Sequence, residues 1–510
     1  MKKSLFKNNL IILLLLFLIG LFVHSKSFQM VPYGDDWKFI YNYYTHEEKS
    51  LNFSNFPGIF SYMAPYGPAI LSIGLIHQFF GNTYFIYYLV PLIFRTLTAF
   101  FLFLTLKNIS QSMKKNNNFI CFLPAVLFIV SMTGIQAIDW SMNMNIFIAL
   151  FIFSISLFFQ SKYYINSGKV NLIVGFLLAI FSIIFAPTRF TPFVVIFPLI
   201  DVVLLISKRD KFFYFSIIVK NIIFGILTYF FLQIGIFGEP GNLNNTSRIA
   251  EFIAGATADV QLSLGMFMHW IGITILPVYP SSDIYKTSII GVLFLALLIW
   301  TFFKSRNEWI IIGSIIFFIT LGIMWIISPL QIADSALRYL IVPFFSLCFL
   351  IGILLMFTGK FKNLFKIILI LIILMQIYSV NSIYSYWVDI GRSSIFMENV
   401  DKQIMSHFPT PINEPKMIYL DFDNGAVLQS VVFGIGYRVA IFSETKGINY
   451  FPLAFTQKTA LIEAIREEIN KGVKKEKIIN NVSAFQFKDR VFTDITSSMQ
   501  KELKVDLDNF

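Results

Sequence analysis

The chain has 510 residues, of which 56% are hydrophobic and only 14% charged, with a mean hydropathy of +0.70 and a formal charge of +11. Ordinary soluble domains carry roughly 25% charged residues, so a cytosolic enzyme is excluded and the expected class is an all-α polytopic membrane protein. The surplus of cations calls for a topological explanation before a nucleic-acid one, and no nucleic-acid partner is expected. Cys121 and Cys348 both lie in apolar runs without metal-ligand spacing, which excludes a disulfide framework and reads as two buried thiols.

In chain order, apolar stretches of spanning or near-spanning length fall near residues 10–23, 84–106, 119–137, 145–160, 170–186, 190–207, 212–236, 287–303, 308–328, 339–358 and 363–380. Two more are ambiguous: 66–80, with Gly67, Pro68, Gly74 and His77, and 261–279, with His269 and a close at Pro277 and Pro280. Basic loops stay cytoplasmic. If Lys2, Lys3 and Lys7 are inside, alternate loops hold Lys107, Lys114 and Lys115; Lys162 and Lys169; Lys208, Arg209 and Lys211; Lys304 and Arg306; and Lys360, Lys362 and Lys366. That pattern requires that neither ambiguous stretch crosses. The opposite short loops carry no cation in 138–144, Arg189 alone in 187–189 and Arg338 alone in 329–338. The expectation is therefore eleven spans in a bacterial-type plasma (inner) membrane, N-terminus cytoplasmic, with both ambiguous stretches in the outer leaflet. The first segment also has features of a signal peptide, with Val23 and Ser25 at a tolerable cleavage site. In either case the chain that follows it is outside.

The expected organisation is a membrane domain over 1–380, with a long first outer loop at 24–83, and an extracytoplasmic α/β domain over 381–510. The latter holds Asp, Glu and Lys in near-normal amounts and has no spanning segment. Lys416–Phe422 and Val431–Phe442 have strand-like β-branched and aromatic character, while Thr459–Lys471 reads as an amphipathic helix.

The first outer loop carries the chemistry. It contains Pro32-Tyr33-Gly34-Asp35-Asp36-Trp37, after which Trp37, Ile40, Tyr41 and Tyr44 recur at helical spacing. This predicts a helix on the membrane surface with its aromatic face in the headgroups, Asp35 at its N-cap and Asp36 in its first turn. One carboxylate capping and the other complementing the dipole is one reading of the pair. The other is a site that binds a cation or accepts a proton.

An N-terminal span, an acidic pair early in a long outer loop, Tyr66-Gly67-Pro68 opening an apolar helix, Phe80-Gly81, and Arg95 entering the next span follow one another in that order. This order resembles the GT-C superfamily of integral-membrane glycosyltransferases, over about residues 10–106, although Gly67 departs from the Pro-Pro often seen there. The resemblance implies a polyprenyl-phosphate-linked sugar as donor, an envelope glycan or lipid as acceptor, and a catalytic carboxylate at Asp35 or Asp36. Asp36 is favoured, because a capping Asp35 has its oxygens occupied by backbone N–H groups. Asp139, in the second outer loop, joins Asp35 and Asp36 around a divalent cation, Mg or Mn, in the way some superfamily members bind metal; otherwise it is a solvated neighbour of an interfacial Trp140.

Leaving-group phosphate needs cations near the membrane plane, which singles out Arg95, Arg189 and Arg338, with Lys286 next. Arg95 equally suits an ion pair locking two helices, and Arg338 an i,i+4 pair with Asp334. The stretch 237–286, with Glu239, Arg248, Glu251 and Asp259, reads as a connecting loop or a lid, and Asp201 as snorkelling to the inner interface. No histidine is assigned a ligand role. The competing functions are a transporter or flippase for lipid-linked saccharide, and a non-catalytic partner in envelope polysaccharide assembly. A transporter calls for broken helices and several mid-span ionisable groups.

Overall fold

The computed structural model describes residues 9–32, 34–50, 67–115, 117–135, 141–166, 168–190, 193–207, 217–226, 260–278, 283–305, 307–327, 339–357, 361–389, 393–408, 412, 414, 416–422, 434–443, 451–488 and 491–508. It is mostly helical with one small mixed sheet. The helices of the first part are α1 (Asn9–His24), prolonged by a 3-10 turn to Gln29, α2 (Asp35–Ser50), α3 (Gly67–Phe80), α4 (Phe85–Ser112), α5 (Asn118–Val130), α6 (Met144–Asn166), α7 (Lys169–Phe185), α8 (Phe193–Ser207) and α9 (Ile217–Ile226). There follow α10 (Val260–Ile275), α11 (Ile284–Ser305), α12 (Glu308–Ile327), α13 (Ile341–Phe357), α14 (Lys362–Trp387) and α15 (Ser394–Met405).

Five helices among the described residues are long and apolar enough to cross a membrane: α1 with its 3-10 extension, α4, α6, α11 and α14. At 1.5 Å per residue, a hydrocarbon core of about 30 Å needs about 20 residues, and each of these meets that length. The chain is thus an integral membrane protein by composition and helix length. An apolar helix also lies at each of the other expected stretches, and at both ambiguous ones; all but α12, 20 residues over Glu308–Ile327, are shorter. The expected span 119–137 stops at Val130, where Ser131 turns extended and Gly134 takes a φ of +81°.

Burial varies by helix in a way the membrane explains. α13 is enclosed on nearly every side, with Cys348 in its interior, and α5 encloses Cys121. By contrast α14 exposes Leu364, Ile367, Ile368, Leu371, Leu374 and Met375. In water that continuous apolar face would be untenable; against acyl chains it is neutral.

After α15 come β1 (Met417–Phe422), α16 (Ile435–Phe442), β2 (Leu453–Phe455), α17 (Lys458–Asn470), α18 (Lys475–Asn480), β3 (Val482–Lys488), β4 (Val491–Asp494) and α19 (Thr496–Asp508). The sheet order is β2-β1-β3-β4, with β1 parallel to both neighbours and β3–β4 antiparallel. Alternate side chains of a strand face opposite ways. Met417, Tyr419 and Ala484 therefore meet Leu461, Ile465, Met499 and Leu503 of α17 and α19, while Ile418, Leu420 and Phe485 join the main hydrophobic core.

Two local expectations change. The stretch expected to be strand-like at 431–442 contains α16, entered through Gly434 at φ +94°, with Ile435, Arg438 and Val439 on its buried face. A short apolar run does not by itself separate strand from helix. Most of the aromatic face of α2 turns inward: Trp37, Ile40 and Tyr41 are buried inside the protein, while Tyr44 is 40% exposed.

Candidate functional site

The acidic pair opens α2. The helix begins at Asp35, one residue earlier than expected, with Trp37 N–H on the Gly34 carbonyl at 3.2 Å and Gly34 at φ +54°. Gly34 rather than Asp35 precedes the helix, and both carboxylates fall in its first turn. The Trp37 indole N–H donates to the Pro32 carbonyl at 2.9 Å, and the Tyr88 hydroxyl to Val31 O at 2.5 Å, so the chain entering α2 is tied to α4. Asp36 is fully buried; the side chain of Asp35 lies outside the described residues.

Two elements flank α2 directly. α3 approaches through Gly74, where a Cβ would lie 2.1 Å from the Tyr43 ring, so only glycine admits this contact. The 3-10 turn Ser141–Asn143, which follows Asp139 and Trp140 in sequence, packs on both α2 and α3. The chain segments on either side of α4 and α5 thus meet at α2, although Asp139 itself lies outside the described residues.

A polar cluster surrounds the first turn. His77 Nδ1 lies 2.6 Å from the Tyr87 hydroxyl, which donates to Gly81 O at 2.9 Å. Asp36 is near enough for its charge to act on Tyr87. On the other side, the Arg438 guanidinium of α16 stands 4.8 Å over the Trp37 ring, forms an ion pair with Asp401 of α15, and is near enough for its charge to act on Tyr84. Burial pushes the Asp401 carboxyl up, and Arg438 opposes that shift.

None of Arg438, Asp401, His77 and Tyr84 was singled out from sequence as a functional residue. One signal existed for Arg438, which stands alone in the apolar run Ile435-Gly436-Tyr437-Arg438-Val439-Ala440, the same anomaly that drew attention to Arg95.

The expected phosphate ligands are dispersed. Arg95 is fully buried within α4, and its guanidinium donates to Phe128 O at 2.8 Å, Ser131 O at 2.9 Å and Ser131 Oγ at 2.9 Å. It thereby satisfies carbonyls at the C-terminal end of α5, where a cation is also favoured by the helix dipole. No carboxylate partner appears in these contacts, so the helix lock expected as an alternative is made with carbonyls. Arg189 is nearly buried in the helical turn Pro187–Phe190, its guanidinium 3.8 Å from the Tyr339 ring. Arg338 lies outside the described residues, as do Glu239, Arg248, Glu251 and Asp259. Lys286 is exposed and pairs with Asp283 at 3.3 Å.

Asp201 does not snorkel. It is buried in α8 and bonded to Lys220 Nζ of α9 at 2.6 Å, Asn221 Nδ2 at 2.8 Å and the Tyr164 hydroxyl at 3.3 Å. No group of three or more His, Cys, Asp or Glu side chains able to hold a metal occurs among the described residues, which include neither Asp139 nor the side chain of Asp35.

No protein-family model matches the chain, and no curated protein matches it.

Proposed function

We propose that this chain is a GT-C-like membrane glycosyltransferase. It moves a sugar from a polyprenyl-phosphate donor to an envelope glycan or lipid on the outer face of a bacterial-type plasma membrane. The observation that carries the reading is the docking of the acidic-pair helix: α2 is packed between α3, the second-loop turn and α16, with Asp36 buried at its start. A surface helix that served only as an interfacial anchor would turn its aromatic face to lipid, and this one turns Trp37, Ile40 and Tyr41 inward.

In the proposed reaction the acceptor hydroxyl loses its proton to Asp36 as its oxygen attacks the anomeric carbon and the sugar–phosphate bond breaks. The leaving polyprenyl phosphate takes the negative charge. A carboxylate shielded from bulk water is suited to that proton transfer. Arg189, held flat on Tyr339, is the described cation proposed to meet the phosphate. Arg95 and Arg338 remain in the proposed set, Arg95 with a guanidinium already engaged by α5. Should a divalent cation take part, Asp35, Asp36 and Asp139 are its proposed ligands.

The proposed topology has eleven spans, the N-terminus inside and residues 381–510 as an outer domain; α3 and α10 do not cross. Cysteine labelling from outside should mark a probe at Asn470 and spare one at Gln111; the reverse pattern overturns the outer-face site. The function itself is tested by transfer of radiolabelled sugar from polyprenyl phosphate with purified protein.

A second reading, a lipid-linked saccharide transporter, draws support from the Asp201–Lys220 pair inside the bundle. Movement of lipid-linked saccharide across vesicles without sugar transfer, lost on replacing either residue, would favour it.

A further inference from the structure

The helix that carries the acidic pair is held from one side by residues after position 390. Met30 and Ser393 form an antiparallel bridge. Gly434 abuts Gly34 so closely that a Cβ there would lie 2.6 Å from the Gly34 carbonyl. Tyr41 packs on Tyr437 and Phe451 at ring separations of 5.6 and 5.4 Å, and Trp37 on Phe442 at 5.7 Å. Among these contacts Arg438 is the charged one. It stacks on Trp37 while paired with Asp401, so three segments distant in sequence (α2, α15 and α16) converge on one guanidinium.

We propose that Arg438 is a positioning residue for the transfer reaction: by gripping Trp37 it fixes the rotation of α2 about its axis and thereby aims Asp36. Successive residues of an α-helix are about 100° apart around the axis, so a pinned Trp37 leaves Asp36 a single direction. The inference rests on the proposed function for its reaction, though not for its geometry. Lysine would keep the charge opposite Asp401 but lose the planar group that faces an indole and a carboxylate together. The residues after 390 then belong to the catalytic unit, because they supply one wall of the helix that carries its acid.

The outer contacts of Trp37 with His77 and Tyr84, at 6.2 and 6.3 Å, survive removal of Arg438, so α2 stays attached but is less well aimed. The test uses the full-length protein with Arg438→Lys and with Arg438→Met combined with Asp401→Leu. The double variant removes both charges and leaves no buried ion unpaired. The expected result is a 10- to 100-fold fall in kcat, about the cost of a small misplacement of a reacting group, with donor KM little changed. The double variant should melt near the wild-type temperature, and the amides of 35–50 should exchange hydrogen faster in both variants. Recovery of kcat along with melting temperature in the double variant overturns the proposal, as does full turnover in Arg438→Lys. If the wild type transfers no sugar from any polyprenyl phosphate, the proposed function falls, and exchange decides alone. Faster exchange over 35–50 then sustains the grip on α2, and unchanged exchange overturns it.

Discussion

Charges buried in the helix bundle and charges buried around α2 are held differently. In the bundle, Asp201 has Lys220, Asn221 and Tyr164 as donors, and Arg95 is engaged by the carbonyls that end α5. Those groups join helices, although Arg95 Nη1 is buried without a hydrogen-bond partner among the described residues. Around α2, Asp36 heads a helix wedged between α3, the Ser141–Asn143 turn and α16. The difference sets two roles that mutation can separate: an ion bonded between bundle helices joins them, whereas Asp36 stands where α2 meets α3, the Ser141–Asn143 turn and α16. Replacement of each kind should therefore fail in its own way, with bundle charges costing folding and loop charges costing turnover.

The largest expected effect is on Asp36. Asp36→Asn keeps size and removes the base, so turnover should fall by roughly 100- to 10,000-fold, about 2.7 to 5.4 kcal/mol of barrier, with yield and melting temperature nearly unchanged. If both Asp35→Asn and Asp36→Asn turn over normally, the pair serves α2 alone and the proposed function loses its main support.

Asp201→Ala should do the opposite, leaving Lys220 buried without its carboxylate. The expected loss is about 3–5 kcal/mol of stability, measured by denaturant titration in detergent, while Asp201→Leu with Lys220→Met recovers much of it. A single variant as stable as the wild type would show that the pair does not bind the two helices together.

Arg189→Ala should weaken binding of polyprenyl phosphate by about 1.5–3 kcal/mol, the scale of hydrogen bonds to charged groups, without a matching fall in melting temperature. Equal binding in Arg189→Ala and wild type, measured by calorimetry, moves the phosphate role to Arg338 or Lys286.

The smallest effect belongs to Lys458, which lies 2.8 Å from both Glu502 and Asp506. These partners are partly exposed, so Lys458→Ala should cost less than about 1 kcal/mol. A larger loss in a thermal melt would mean that α17 and α19 depend on this link more than on Leu461, Ile465, Met499 and Leu503 beneath it.

Much of the molecule follows from the one-dimensional pattern. Apolar runs became apolar helices because every backbone polar group in lipid must be bonded internally, and a helix does this within one segment. Met417–Phe422 is a strand and Lys458–Asn470 a helix, close to where alternation and amphipathic spacing put them. The acidic pair and the apolar helix from Gly67 were likewise visible, whereas the end of α5 at Val130, inside the expected span 119–137, was not. Tertiary structure alone decided that the aromatic stripe of α2 faces protein, since the same spacing suits a bilayer surface or a docking groove. It alone made 435–442 a helix, because Gly434 sets the entry and the groove against Gly34 fixes its place. It also matched Lys220 to Asp201 and Arg438 to Asp401. A partner for a buried charge is chosen by proximity across helices, and sequence separation carries no record of that distance.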